Sequence, residues 1–371
     1  MPTRRPSHPP QTSPEPGSRA DHTALAARQG AKPRSGGGLR LVGLFLGLAG
    51  VATVSATTGA LLAMSLAAPS LSQRQLTPAE KAVFNKSGTS ISQSGLQLPQ
   101  LTRPVNILLM GIKVVTSDVD DGLTKKYGYQ ALLNSFEGLS DTMLLLRCDP
   151  TTGKFVVLSV PRDTRTHVEG MGMTKINAAN VRGGPAGSAR ATSELLGGLP
   201  IDRYIRINVQ GVEKFIDAVG GVTLYVPRDM KYQDDSQHLY INLKQGKQHL
   251  NGNQALNFLR YRHDEYGDIG RVQRQQMAIR SFKEQVLNPV TLLRLPQILS
   301  TIRENIDTNL SLEELVALAG FVTKIDHKDV QMMMVPGEFG ELSAYGGVSY
   351  WLPHREAIDR MMAKFFGQAP V

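Results

Sequence analysis

Beyond residue 104 the chain alternates short apolar runs with stretches whose apolar positions recur at helical spacing. The apolar runs that predict strands lie at 105–111, 142–148, 154–160, 204–209, 222–227 and 330–336. Helical patterns lie at 176–196 (in two pieces broken at 182–185), 211–221, 252–261, 271–287, 311–320 and 353–366. Because strands and helices alternate, we expect an α/β sandwich with one sheet between helical layers. Connections of about 15 to 25 residues favour a mixed rather than a fully parallel sheet.

The segment before residue 104 has a different composition. Residues 1–40 are rich in Pro, Ser, Gly and Arg, which predicts a disordered tail. The run from 41 to 68 holds no charged residue, and a bilayer core needs about 20 apolar residues, so we expect a transmembrane signal anchor over 41–66. A cleaved signal peptide is the alternative, but its apolar region is roughly 7–15 residues. The basic flank precedes the anchor, which predicts an N-terminus inside the cytoplasmic membrane and an extracytoplasmic domain.

A linker, 67–103, and a domain over 104–371 complete the predicted organisation. Within the linker, Thr77 and Glu80 have the spacing of a capping box, and Pro78 stands at the first helical position. This pattern predicts a short helix over about 78–85.

Charge and cysteine content narrow the classes of function. Residues 1–40 carry seven Lys and Arg and two acidic residues, a net +5 of the formal +9, which leaves +4 for the other 331 residues. The predicted domain therefore lacks the broad basic face of a nucleic-acid-binding protein, and we expect no nucleic-acid partner. The single cysteine, Cys148, excludes an internal disulfide; in its apolar run we expect it to be buried as a small hydrophobic residue.

Arginines are concentrated between Asn257 and Gln276. The polar side chains of interest there are Arg260, Arg262, Arg271, Arg274 and Gln275. The planar guanidinium matches phosphate oxygens two at a time, so such a cluster favours a diphosphate or two phosphates held together. The alternative is a solvated basic helix face paired with Asp264, Glu265 and Asp268.

Further polar residues stand where predicted strands begin or end. Asp141 precedes the second strand and is either a metal ligand or a turn cap. Arg162 and Asp163 follow the third strand, where they form either part of a site or an exposed ion pair. Lys175 and Asn177 open a helix whose N-terminal amides favour anions, although Asn177 taken alone is more typical of a helix cap. The histidines show no metal-ligand spacing, and neither a Gly-x-Ser-x-Gly elbow nor a Walker loop is present.

The order of these motifs resembles the LytR-CpsA-Psr family. The segments that carry the resemblance are NILLMG, SDTMLLLRCDP, VLSVPRDT, TKINAAN, DAVGGV and HLNGNQALNFLRYRHDEYGDIGRVQRQQ, within residues 104–288. Residues 289–371 carry no motif of the family. The resemblance implies a cell-envelope enzyme that transfers a phosphoglycan from a polyprenyl-pyrophosphate carrier to peptidoglycan and releases polyprenyl phosphate. It also implies assistance by Mg²⁺ and an apolar groove for the lipid between the sheet and the helices.

The same resemblance implies roles for individual residues. By the family pattern, Arg162, Arg260, Arg262 and Arg271 hold the pyrophosphate, Lys175 and Gln275 assist, and Asp141 binds the metal. Arg274, from the arginine cluster, and Asn177, from the start of a helix, complete the predicted pyrophosphate-binding residues. The predicted catalytic residues are Arg162, Arg262, Arg271 and Asp163. Asp163 is open to two readings, a base or a structural partner of Arg162.

One position departs from the family pattern. The first strand of the family commonly ends in Gly-x-Asp with a metal-binding Asp, whereas this chain has Gly111-Ile112-Lys113. Either Lys113 replaces part of the charge of the ion, or Asp118, Asp120 or Asp121 takes over as ligand, or the metal site is impaired. The alternative functions are a lipid-pyrophosphate hydrolase, a membrane-bound transcription regulator and, motivated by Lys113, a non-catalytic lipid-glycan scaffold. The regulator is disfavoured because the tail holds no helix-turn-helix pattern.

Overall fold

The centre of the protein is a mixed six-stranded sheet. The structure is a computed structural model, and it describes residues 71–72, 74–84, 90–93, 99–113, 135–235, 239–261, 273–274, 276–282 and 289–367. The strands are β1 (Ser92–Gln93), β2 (Gln100–Leu101), β3 (Val105–Lys113), β4 (Leu139–Asp149), β5 (Lys154–Ser159), β6 (Arg165–Val168), β7 (Gly172–Lys175), β8 (Arg203–Asn208), β9 (Val222–Val226), β10 (Met230–Asp234), β11 (Leu239–Leu243), β12 (Gly246–Leu250), β13 (Ile306–Thr308), β14 (Val330–Met334), β15 (Gly337–Phe339) and β16 (Trp351–Pro353). The helices are α1 (Pro78–Phe84), α2 (Ala178–Leu195), α3 (Val209–Ala218), α4 (Gly252–Arg260), α5 (Pro289–Ile302), α6 (Leu312–Lys324) and α7 (Arg355–Phe366).

The central sheet has the strand order β13-β8-β3-β4-β5-β14. Strand β3 runs parallel to β8 and β5 runs parallel to β14, whereas the β13–β8, β3–β4 and β4–β5 pairs are antiparallel. The predicted mixed sheet and the predicted β4–β5 hairpin are therefore confirmed. Strand β4 begins at Leu139, three residues before the predicted apolar run, and the extension brings Asp141 into the sheet.

Helices cover both faces of this sheet. On one face, Leu108, Met110 and Leu145 pack with residues of α2 and α7 in one buried cluster. On the other face, the cluster includes Ile107, Val157, Cys148 and residues of α6. Cys148 is buried, as predicted, and burial raises the pKa of its thiol to about 12. Alternating side chains of each strand thus reach two cores, which is the pattern of a sheet between two helical layers.

Helix α2 contains the predicted interruption as a kink. Gly184 has φ 57° and ψ −149°, a backbone conformation that is nearly restricted to glycine, and Pro185 follows it. A Cβ atom at Gly184 would lie 2.7 Å from the guanidinium of Arg74, so the position also accommodates a close contact. In helix α1 the predicted capping box is confirmed, because the Thr77 backbone N–H donates to the Glu80 carboxylate and the Glu80 N–H donates to the Thr77 hydroxyl.

The sequence prediction placed the end of α6 at Gly320, and this is wrong. The helix begins with the predicted capping box of Ser311 and Glu314 but continues to Lys324. Glycine costs about 1 kcal/mol in a helix interior, whereas Phe321 and Val322 pack against the buried cluster beyond it, and this burial outweighs the cost.

Residues 222–261 form a second, smaller group of strands and a helix outside the central sheet. The antiparallel pairs β9–β12 and β10–β11 pack with α3 and α4 around a separate apolar cluster that includes Phe258 and Leu250. Strands β10, β11 and β12 were not predicted.

The predicted transmembrane anchor, 41–66, lies outside the described residues. Within the described ranges, no helix combines the length and the apolar character that are needed to cross a bilayer.

A buried ion pair joins the edge of the sheet to α2. The Nε of Arg206 donates to Oδ2 of Asp307 at 2.8 Å, and the side chains are 2% and 0% exposed. The Nη1 of Arg206 also donates to the Asn180 side chain and to the carbonyl of Phe136, each at 3.2 Å. Burial and the nearby Asp307 carboxylate raise the pKa of Tyr204, whose hydroxyl donates to that carboxylate. The surrounding donors and acceptors satisfy charges that would otherwise be costly to bury.

We expect Asp307→Ala to lower the free energy of unfolding by about 3–5 kcal/mol, because it leaves the Arg206 charge buried without its partner. Urea unfolding followed by circular dichroism measures the change. Lys328→Ala is the control: it removes an exposed pair with Asp326, and we expect it to cost at most about 1 kcal/mol. An Arg206→Met, Asp307→Leu double variant that is no more stable than Asp307→Ala would contradict the assignment of the loss to the unpaired charge.

Candidate active site

A β-bulge lies at Asp141, near the start of the interior strand β4 and the end of its partner β3. Gly111 pairs with Thr142 but the next residue, Ile112, pairs with Ser140, so Asp141 is the extra residue on β4. A bulge redirects a side chain and ends regular pairing, and it is common beside functional sites. Gly111 suits the position because a Cβ there would lie only 3.1 Å from that of Thr142.

Arg162 lies in a tight turn directly after β5. The backbone N–H and the hydroxyl of Thr164 both donate to the carbonyl of Pro161, at 3.0 and 2.6 Å. The carbonyl of Arg162 accepts from the backbone N–H of Asn177 at 3.2 Å, which ties this turn to the start of α2. Since β5 is antiparallel to β4, the end of β5 lies on the same side of the sheet as the start of β4, which carries the bulge. Arg162 Nη1 consequently reaches Asp141 Oδ1 at 2.8 Å.

Asp163 holds two cations. Its Oδ1 lies 2.7 Å from the Nζ of Lys175, and its Oδ2 lies 3.4 Å from the Nε of Arg162. Its backbone carbonyl accepts from the N–H of Trp351 at 2.9 Å. Asp163 is buried, whereas Arg162 and Lys175 keep part of their side chains exposed. The buried carboxylate therefore fixes the positions of the two cations, while their exposed parts remain accessible to a ligand.

Asn177 is at the N-cap position of α2, but its side chain makes no capping hydrogen bond. The interpretation of Asn177 as a side-chain cap is therefore wrong. Its backbone has helical dihedral angles, whereas an asparagine that caps through its side chain normally takes extended ones. Its carbonyl accepts from the backbone N–H and the hydroxyl of Ser140, each at 3.4 Å, and so joins the start of α2 to β4.

The predicted arginine cluster is only partly described. Arg260 ends α4 and is half-buried. Arg274 is 5% exposed; its guanidinium lies over the ring of Tyr261 and donates to the Tyr261 carbonyl. The predicted site residues that lie outside the described residues are Arg262, Arg271 and Gln275. The phosphate contacts predicted for these five residues stay predictions.

A bound Mg²⁺ would find one protein ligand in the described part of this site. No three residues of the types His, Cys, Asp and Glu are grouped as a metal site in the described ranges. Mg²⁺ is commonly held by one or two carboxylates together with water and substrate phosphate oxygens, so Asp141 fits as a single hard oxygen ligand. The backbone of Lys113 ends β3, but its side chain lies outside the described residues, as do Asp118, Asp120 and Asp121.

Comparison with known proteins identifies the family. The model of the LytR_cpsA_psr family matches residues 70–366. The chain belongs to the LytR-CpsA-Psr family. The Oceanobacillus iheyensis polyisoprenyl-teichoic acid–peptidoglycan teichoic acid transferase TagU is 32% identical over 274 residues, which are 71% of this chain and 75% of the relative.

Two further similarities concern a named regulator and a solved structure. The regulatory protein MsrR of Staphylococcus aureus is 32% identical over 200 residues, 53% of this chain and 59% of MsrR. The crystal structure of Bacillus subtilis TagV shares 27% identity with a TM-score of 0.59, over 72% of this chain and 99% of that one. The mixed sheet described above is thus the fold of the LytR-CpsA-Psr family.

Four residues near this site, Arg165, Tyr345, Tyr350 and Trp351, were not predicted as site residues from the sequence. The family match extends to residue 366, although no motif was found beyond residue 288. Arg165 is the cross-strand partner of Lys175, and the ring of Tyr350 lies near both cations. Tyr345 contacts Arg165, and the backbone N–H of Trp351 donates to the carbonyl of Asp163. Their proximity depends on a parallel bridge between Thr164 and Trp351, a pairing that no local pattern predicts.

We expect inorganic pyrophosphate to bind the cluster of Asp141, Arg162, Asp163 and Lys175. Arg162→Ala should weaken this binding at least about 10-fold, because a charge-assisted hydrogen bond contributes about 1.5–3 kcal/mol. Titration calorimetry measures the affinity. Trp351, the only tryptophan in the chain, gives a fluorescence readout next to Asp163. Arg360→Ala is the control, since Arg360 is an exposed arginine on α7. Equal affinities of the Arg162→Ala variant and the unaltered chain would contradict the assignment.

Proposed function

We propose that this protein transfers a phosphoglycan from a polyprenyl-pyrophosphate carrier to a hydroxyl group of peptidoglycan. The observation that carries the proposal is the arrangement of Arg162 and Lys175 around the buried Asp163, next to Asp141. The name of the Oceanobacillus iheyensis relative, a teichoic acid transferase that acts on peptidoglycan, supports the same reaction.

The chemistry of the transfer needs cations rather than a covalent intermediate. The acceptor oxygen bonds to the glycan-side phosphorus, the bridging P–O bond breaks, and polyprenyl phosphate leaves with the bonding electron pair while the hydroxyl proton passes to water. Negative charge is spread over the phosphoryl oxygens in the transition state, and positioned cations stabilise it. Arg162 and Lys175 supply such charge. Both carboxylate oxygens of Asp163 contact these cations, so we assign to Asp163 a positioning role.

The carboxylate contacts also explain how the cations remain available. Arg162 donates a hydrogen bond to Asp141 and forms an ion pair with Asp163, and a phosphate oxygen can replace the contact to Asp141 with a similar charge-assisted hydrogen bond. Binding therefore costs little reorganisation, because the guanidinium is already oriented. Arg262 and Arg271 belong to the proposal as further phosphate-binding catalytic residues, with Arg260, Arg274, Asn177 and Gln275 as supporting ones.

One face of the central sheet carries partly exposed apolar residues, and we propose this surface as the binding site of the lipid. Leu109, Leu146, Ile205 and Met332 belong to the cluster that packs against α6, yet all four are only partly buried. Leu146 and Met332 both pair with Val157, and Leu109 pairs with Ile205, so they occupy adjacent rows of neighbouring strands. This half-covered apolar surface between sheet and helix supports a groove for the polyprenyl chain.

Mg²⁺ is part of the proposal, with Asp141 as its protein ligand. When bound, the ion would neutralise phosphoryl charge. Arg162 lies 2.8 Å from Asp141 and orients this carboxylate. Lys113 stands where relatives commonly place a second carboxylate, and we propose that its ammonium group replaces part of the charge of the ion.

We also propose that residues 41–66 anchor the chain in the cytoplasmic membrane with the catalytic domain outside. The uncharged run and its basic N-terminal flank support this topology. It would keep the domain next to a lipid-linked substrate and its cell-wall acceptor.

Two alternatives have specific support. The name of the Staphylococcus aureus relative, a regulatory protein, favours a regulatory role, and Lys113 favours a non-catalytic glycan-lipid scaffold. The ordered cation pair at Asp163 favours catalysis over both, because binding a lipid alone does not require phosphate-directed charges.

In a transfer assay, we expect the full-length chain in detergent to attach glycan to peptidoglycan and to release polyprenyl phosphate in equal amounts. Arg162→Ala should lower kcat/KM at least about 100-fold, since it removes charge that is needed in the transition state. Arg360→Ala should leave it unchanged. Quantifying both products by mass spectrometry separates the alternatives.

Each remaining outcome of this assay identifies one alternative. Released lipid phosphate without attached glycan, at saturating acceptor, would indicate a hydrolase. Binding without turnover would indicate a scaffold. Chelation of divalent ions should lower the rate, and a Lys113→Asp variant whose rate falls more steeply on chelation would support the role given to Lys113. A rate that is unchanged by chelation would exclude the proposed metal.

For the lipid groove, we expect Leu109→Gln to raise KM for a long-chain polyprenyl donor about 10-fold but to leave KM for a donor with a five-carbon lipid unchanged. The reason is the apolar area that each lipid buries, about 0.8 kcal/mol per CH₂ group. Val181→Gln, which alters an exposed aliphatic residue of α2, is the matched control. An equal change of KM for both donors would contradict the placement of the lipid.

A further inference from the structure

An aromatic cluster lies beside the cation pair of the active site. The rings of Tyr345 and Tyr350 meet edge-on, with centroids 5.3 Å apart and an interplanar angle of 70°. The guanidinium of Arg165 lies over both rings, 5.4 Å from the centroid of Tyr345 and 5.9 Å from that of Tyr350. The Nζ of Lys175, which binds Asp163, lies 5.9 Å from the centroid of Tyr350. Tyr345, Tyr350 and Arg165 are named the tyrosine platform below.

The platform is held to the active site by backbone contacts. The segment between β15 and β16 carries both tyrosines, and the Gly340 N–H donates to the Tyr350 carbonyl at 3.0 Å. The next residue, Trp351, donates its backbone N–H to Asp163 and its indole N–H to the carbonyl of Val335. The platform therefore has a fixed position relative to Asp163, which a surface loop without such contacts would lack.

The charges of the platform are not balanced by the described protein. Arg165 and Lys175 are directly opposite each other on β6 and β7, an arrangement of like charges that is destabilising. Asp163 compensates Lys175, but Arg165 forms no ion pair within the ranges that the structure describes. An anionic group on a ligand would complete this arrangement.

The surroundings of the platform are exposed and apolar. Leu342 is 55% and Val348 is 40% exposed, and both tyrosine rings are themselves partly exposed. The C–H faces of a pyranose ring are weakly apolar and carry positively polarised hydrogens, which are attracted to the negative face of an aromatic ring. Partly exposed aromatic rings with a neighbouring cation thus match a sugar ring that carries a negative charge.

We infer that the tyrosine platform binds, next to the transferred phosphate, a pyranose ring that carries a negatively charged substituent. The inference rests on the proposed function, and it adds a sugar subsite formed by residues of the C-terminal part of the chain. Two sources share this chemistry: the peptidoglycan acceptor, whose stem peptides carry carboxylates, and the phosphate-linked glycan of the donor. Tyr345 and Tyr350 contact the ring, and Arg165 binds the anion.

A direct binding experiment tests the platform without catalysis. The probe is a soluble peptidoglycan disaccharide-tetrapeptide, titrated into the full-length chain in detergent and followed by calorimetry and saturation-transfer NMR. We expect Tyr350→Ala and Arg165→Ala each to weaken binding of the probe about 10-fold. Tyr350→Phe should preserve binding because the aromatic ring is kept. A neutral N-acetylglucosamine tetrasaccharide should bind more weakly than the charged probe. Tyr225→Ala, which removes an exposed tyrosine of β9, is the matched control.

The second arm of the experiment distinguishes the two sources of the sugar. If the disaccharide-tetrapeptide binds through the platform, the acceptor is the occupant. If only a water-soluble glycan 1-phosphate from the donor binds, with the same losses in Tyr350→Ala and Arg165→Ala, the donor is the occupant. Binding of neither probe, or equal binding by the unaltered chain and the Tyr350→Ala variant, would overturn the inference.

Failure of the inference and failure of the proposed function are distinguishable. Transfer that is normal in kcat and KM for Tyr350→Ala, together with its loss in Arg162→Ala, would overturn the platform and keep the transferase. Binding of the probe through the platform by a chain that attaches no glycan would keep the platform and overturn the transferase. Thermal unfolding of each variant checks that the fold is intact.

Discussion

The ion pair between Arg206 and Asp307 is the contact on which the arrangement of the site depends. Neither charge reaches water, so each needs its partner and the neighbouring polar groups. One of those groups is Asn180, whose side-chain amide also donates to the carbonyls of Phe136 and Gly138 at 2.9 and 2.7 Å. These carbonyls directly precede β4, the strand that carries Asp141. The requirement to satisfy a buried charge at one edge of the sheet therefore also fixes the entry of the strand that supplies a carboxylate to the site.

The site itself follows from the same principle applied at the surface of the sheet. Asp163 is buried and Lys175 and Arg162 are not, so the negative charge is fixed and the positive charges are presented outward. In a phosphate-binding site this order is favourable because the cations keep their orientation when no ligand is bound. The bulge on β4 and the turn after β5 are small irregularities at neighbouring strand ends, and together they create the arrangement.

Five strands of the central sheet could be predicted from sequence because they are apolar runs, as in β3 and β5. Strand β13 was not predicted, because its three residues, Ile306–Thr308, include the buried Asp307 and form no apolar run. Asp141 and Arg162 could be placed at the ends of strands from sequence, whereas the grouping of Lys175 with them was implied only by the family resemblance. Short elements could not be predicted, since β6, β7, β15 and β16 owe their conformation to contacts distant in sequence. Gly320 misled the helix prediction because tertiary packing outweighed a local preference. Arg274 was predicted as a phosphate ligand from its spacing alone, which carries no information on its burial against Tyr261.

The parallel pairing of β14 with β5 has a consequence for the order in which the protein matures. Val330 lies opposite Phe155, so the edge of β5 stays unpaired until residues 330–334, about 175 positions later, are available. Contacts between such distant segments form slowly, and an open strand edge is prone to pair with other chains in the meantime. The same late segment supplies the Trp351 backbone that holds Asp163. A chain that stopped before residue 330 would therefore lack both the strand that covers the edge of β5 and the Trp351 contact to Asp163, so the same C-terminal segment protects the sheet and completes the site.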